Sequence, residues 1–240
     1  MDIIFGRTSI MAGNRSSGQD MPKTVITIES FSQRLAKALP DMITAGVFFW
    51  VWLDPTEWRR ELVAQGLMIM LLEFILIHSS GFIGPAVFAH EAPAGKRIKW
   101  VAGFGLFYTL FVAAWAWQFQ SWWPLVFFLW LLGSKLVDIL MDRRIPEEMR
   151  RRQMGMVGLS VLFYLLSVFA TLFLPFPELG LTRHGHYYGV PGSGEWVSHP
   201  HIVVSALVLY FCLLALAKLL AWDVALARRQ DRAGQDRQKH

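Results

Sequence analysis

The sequence predicts an all-α protein, a polytopic bundle of about six transmembrane helices. Three observations predict it. Of 240 residues, 54% are hydrophobic and only 17% are charged, where a soluble domain carries roughly a quarter charged residues. The apolar residues gather into runs of roughly 20, the length a helix needs to cross a ~30 Å hydrocarbon layer. The Lys and Arg residues between those runs are sorted to alternate loops, as cytoplasmic flanks require. This composition excludes a single-pass anchor and an ordinary soluble enzyme domain. A net charge of +5 in so apolar a chain does not read as nucleic-acid binding.

In chain order, residues 1–34 read as a flexible cytoplasmic tail. Asp2 and Arg7 interrupt the apolar start and Asn14 opens a polar stretch, so no secretory signal is read, and Met11 or Met21 is an alternative start. The first apolar segment, 35–53, is the weakest, because Lys37, Pro40 and Asp41 occupy its first turns. Its unbroken part, Met42 to Leu53, rises only ~18 Å as a helix. A short or re-entrant first segment followed by five crossings is therefore the alternative architecture. Segments 62–84, 98–118, 121–140, 154–174 and 200–222 are clear spans, so 35–222 forms the bundle and 223–240 a basic cytoplasmic tail.

Charge sorting favours six crossings with both termini cytoplasmic, as in a bacterial inner-membrane protein. That arrangement places 20 of the 23 Lys and Arg residues inside and leaves only Arg59, Arg60 and Arg183 outside. Tryptophan marks the outer boundary independently. Trp50, Trp52, Trp58, Trp115, Trp117, Trp122, Trp123 and Trp196 fall near the outer face, and Trp100 and Trp222 near the inner one.

Ionisable residues within the spans are the default functional candidates, since charge is costly in lipid. Glu73 lies ~16 Å below the outer end of its segment, near the midplane, with Asp41 at ~18 Å, Lys135 at ~21 Å, His78 at ~24 Å and Asp138 at ~25 Å. Lys135 is the first partner expected for Glu73, while Glu73 and His78, ~140° apart on one helix, are not expected to face each other. Beyond His78, Gly81, Gly84 and Pro85 predict a helix break, because Pro85 releases the Gly81 carbonyl. Such a break beside an acid suits an ion or proton pathway. The bland alternative is a polar cluster that holds the bundle together, with Asp41 capping a helix and Lys135 and Asp138 snorkelling to the inner interface.

The outer connection carries His184, His186, His199 and His201. Imidazole suits zinc or copper, but this spacing is a weak metal signature and lacks the usual cysteine or carboxylate. Cys212 is the sole cysteine, so no internal disulfide forms. No nucleotide-binding, nucleophile-elbow or zinc-protease motif is present, which weighs against an enzyme. Arg150, Arg151, Arg152 and the cluster Arg228, Arg229, Arg232 read as topology determinants and contacts for anionic lipids. Three readings follow: a small proton- or ion-coupled transporter or channel, a non-catalytic accessory or assembly subunit with a protein partner or as a homo-oligomer, and an outward-facing metal-binding membrane protein.

Overall fold

The computed structural model describes residues 31–55, 57–89, 91–141, 146–181, 192–222 and 225. The described residues form helices joined by short connections, with no strand among them. In chain order these are α1 (Phe31–Leu53), α2 (Glu57–Phe88), α3 (Ala94–Gln118), α4 (Trp123–Leu140), α5 (Glu147–Phe173), the single turn α6 (Glu195–Ser198) and α7 (Pro200–Leu219). Five of them, α2, α3, α4, α5 and α7, are long and apolar enough to cross a membrane. They coincide with the five clear segments of the sequence. His184, His186, Arg143, Arg144, Arg183, most of the N-terminal tail and nearly all of the C-terminal tail lie outside the described residues.

The first segment is a continuous helix. α1 starts at Phe31, runs 23 residues, or ~34 Å, and passes through Pro40 without a break. Asp41 is therefore inside the helix and does not cap it. Proline costs α1 one backbone bond, that to the Ala36 carbonyl, and one turn on the Thr44 hydroxyl donates to the Pro40 carbonyl at 2.9 Å. α1 packs along α7 more extensively than any other two helices pack together. Its end is fastened by the segment after α5, where the Trp52 indole donates to the Pro177 carbonyl and the Gly180 amide donates to the Trp52 carbonyl, both at 3.0 Å. A Cβ at Gly180 would lie 2.5 Å from the Leu53 carbonyl oxygen, so this approach requires glycine.

The predicted break in α2 is corrected in the same way. Gly81, Gly84 and Pro85 all lie within helix, which ends only at Phe88. The end is closed from the next element. Arg97, 3% exposed, donates from Nη2 to the Val87 carbonyl at 2.6 Å and from Nε to the Ala86 carbonyl at 3.2 Å. A guanidinium thus satisfies carbonyls that a helix C-terminus leaves open.

α2 is the hub of the bundle. One face contributes Val63, Leu67 and Met70 to a core with Phe48 and Val51 of α1, Tyr164 of α5 and Val203, Leu207 and Tyr210 of α7. The other contributes Leu72 and Ile75 to a cluster with Tyr108 and Val112 of α3 and Phe128 of α4. Toward the end where α2 finishes and α3 begins, Ile83 and Val87 meet Val101 and Ile139. That end carries Lys37, Lys99, Lys135, Arg152 and Lys218 and is called the basic end below.

Candidate polar cluster and the cleft beneath it

Glu73 projects from α2 toward α7. There the Tyr210 phenol donates to its Oε2 at 2.9 Å. The two residues meet because their depths agree: Tyr210 lies ~15 Å into α7 and Glu73 ~16 Å below the start of the apolar segment it belongs to. Tyr210 is 1% exposed, and Ser160 of α5, whose hydroxyl donates to the Met156 carbonyl at 2.9 Å, is within electrostatic range of its phenol. The Tyr164 ring stands edge-on to Tyr210, 5.7 Å between centroids, and its hydroxyl donates to the Met70 carbonyl at 3.1 Å. On the basic side, Lys218 Nζ sits 2.5 Å from Asp41 Oδ2 and ties α1 to α7. Asp41 and Lys218 are both within electrostatic range of Glu73.

The partner of Glu73 is thus the Tyr210 phenol and not Lys135, and Lys218 is held by Asp41. Depth along a helix fixes height but not direction. Lys135 has a suitable height, yet α4 packs on the α3-facing side of α2, while Glu73 points to α7. His78 is also separate, as the helical angle from Glu73 requires. Its Nδ1 lies 2.9 Å from the Tyr108 hydroxyl of α3, with Phe74 stacked on the ring at 5.6 Å and Phe82 edge-on at 5.4 Å. Asp138 lies one turn beyond Lys135 on α4.

Lys135 instead lines an open cleft of about 1370 Å³ at the basic end. Its walls come from Gln33 and Lys37 of α1, the 76–88 stretch of α2, Phe128 to Lys135 of α4, and Arg152 to Val157 of α5. Gly81, Gly84 and Pro85 are part of the α2 wall, so the small residues that do not break the helix do hollow it. The hydroxyls of Ser79 and Ser80, in the same wall, are turned onto the Leu76 carbonyl at 3.2 and 2.6 Å.

The cleft and the polar cluster are stacked. On α1, Asp41 is one turn inward of the lining Lys37; on α2, Glu73 is one turn inward of Leu76; on α5, Ser160 is one turn inward of Met156 and Val157. One helical turn is ~5.4 Å. Three helices therefore place a polar residue in the layer directly above the floor of the cleft.

Tyr164, Tyr210 and Lys218 are the cluster members that sequence reasoning passed over. A usable signal was present. Three of the five tyrosines, Tyr108, Tyr164 and Tyr210, sit inside apolar helices away from their ends. A phenol at that depth needs a partner, and each of the three has one: His78, the Met70 carbonyl and Glu73.

At the opposite end, His199 Nδ1 lies 2.8 Å from Glu195 Oε1 and the His199 and His201 rings are 6.0 Å apart. Among the described residues no three His, Cys, Asp or Glu side chains gather as metal ligands, and His184 and His186 lie outside those residues. No family profile, characterised protein or solved structure matches the chain.

Proposed function

We propose that this protein is a small proton-coupled membrane carrier, with Glu73 as the coupling carboxyl and the basic-end cleft as its substrate path. The observation that carries the reading is that Asp41, Glu73 and Ser160, on three helices, each lie one turn from residues that line the cleft. A carboxyl at membrane depth is costly to keep charged and is the kind of group proton relays use. Lys218 offsets the second acid, Asp41, which leaves Glu73 as the acid that gains or loses a proton. The Tyr210 phenol donates to Glu73, so a hydrogen bond links α2 to α7 at this depth. By charge sorting the basic end is cytoplasmic, in a bacterial inner membrane, and α1 makes the sixth crossing.

The test is proton uptake into dye-loaded liposomes containing the full chain, under an imposed membrane potential. Glu73→Gln keeps a hydrogen-bond acceptor for Tyr210 while removing the ionisable group, so the fold is preserved. Flux is expected to fall at least tenfold. Undiminished flux in a folded Glu73→Gln protein would sink the carrier reading and leave a structural cluster in an accessory membrane subunit.

A further inference from the structure

We infer that the basic-end cleft takes an anionic lipid, its acyl chain lying between α4 and α5 and its headgroup held by Lys37, Lys135 and Arg152. Four observations carry this. First, the lining is apolar over most of its area, with Phe128, Leu131, Leu132, Met149, Met156 and Val157 among its residues. Second, three lining residues are cationic, Lys37, Lys135 and Arg152. Third, the volume of about 1370 Å³ exceeds the roughly 300–1,000 Å³ of a typical small-molecule pocket. Fourth, α1, α4 and α5 pack on α2, α3 or α7 and not closely on one another. The cleft is therefore open sideways, where hydrocarbon tails are.

The cations share one end of the bundle. Lys37 is near the start of α1, Lys135 near the end of α4 and Arg152 near the start of α5, all at the basic end. A headgroup phosphate at that interface meets positive charge from three directions while its chain stays in the apolar part below. Arginine and lysine near a membrane surface each add about 1 kcal/mol of attraction for anionic lipid, or roughly fivefold in affinity per charge. A free phosphate would gain the same charges but leave the apolar walls uncovered, so the lipid is the occupant the whole lining fits. Occupancy by lipid stands on the lining alone; that this lipid is also the carried substrate rests on the carrier reading above.

The experiment is native mass spectrometry of the full-length protein, solubilised with an equimolar mixture of phosphatidylglycerol and phosphatidylcholine. The wild type is expected to retain phosphatidylglycerol preferentially. Lys135→Gln should lower that preference roughly fivefold, and combined Lys37→Gln, Lys135→Gln and Arg152→Gln should abolish it. Lys99→Gln, at the same end but outside the cleft, should leave it unchanged. Equal retention of both lipids by the wild type, or an equal loss with Lys99→Gln, overturns the proposal. So does displacement of phosphatidylglycerol by millimolar inorganic phosphate, which would mark an anion site without a chain. Lipid retention and proton flux are separate readouts: retention with flux indifferent to Glu73 removes the carrier and keeps the lipid site, and the converse result does the reverse.

Discussion

α7 and α4 are both strongly apolar helices of similar length, 20 and 18 residues, yet twelve residues of α7 are buried by protein and only three of α4. α7 is enclosed by α1, α2, α5 and α6, whereas α4 packs on α3 and α2 and leaves Val126, Phe127, Leu129, Trp130 and Leu140 on the outside. The difference is chemical as well as geometric. α7 carries Tyr210 and Lys218 to partners on other helices, and its small residues Ala206, Ala215 and Ala217 let neighbours approach. Close approach and hydrogen bonding drive helix association in lipid, because apolarity alone gives no preference for protein over hydrocarbon. Hydropathy therefore marks both helices as membrane segments and is silent on which is central.

That contrast can be broken most forcefully at the ion pair. Lys218→Met leaves Asp41, 7% exposed, without its cation, and removing one partner of a buried pair costs about 3 kcal/mol or more. Pairing it with Asp41→Leu should recover most of the loss, since both charges then disappear; unfolding of the detergent-solubilised protein reads both. A smaller loss is expected from Gly180→Ala. The new Cβ meets the Leu53 backbone and Pro55, and overpacking of this kind costs about 1–3 kcal/mol, measured in the same assay.

Smaller again is the comparison between tyrosines. Tyr210→Phe removes the donor to Glu73 and Tyr108→Phe the partner of His78, and side-chain hydrogen bonds between membrane helices average ~0.6 kcal/mol with a maximum near 1.7. Tyr210→Phe should fall near the upper value, because Tyr210 also packs within the main core, and Tyr108→Phe near the average. Equal effects would mean the two halves are not distinct in the way described. Least of all should change with Trp130→Leu on α4. Trp130 is 75% exposed, so a shift beyond about 0.5 kcal/mol would reveal a protein partner on that face.

Much of this arrangement was legible in the sequence. The five clear spans follow from apolar run length, and Glu73 followed from its distance to both ends of its run. Pro40 and Pro85 misled for a common reason: each removes a single backbone bond, and the helix continues on the rest. The end of α2 is closed instead by Arg97 on α3, which a local reading counts only as a topological charge. The partner of Glu73 was missed because height along a helix carries no azimuth. Lys218 lies near the end of α7, and only the packing of α1 on α7 reveals that it answers Asp41. The tyrosines inside apolar helices were the overlooked clue, since a buried phenol announces that something polar lies opposite.

The Asp41–Lys218 bond joins the first described helix to the last. A ribosome therefore delivers the acid long before the base. The Asp41–Lys218 pair cannot form until α7 has been made. The hairpin of α2 and α3, closed by Arg97, has no such wait. The tie that α1 makes most extensively is thus the last one the order of synthesis permits.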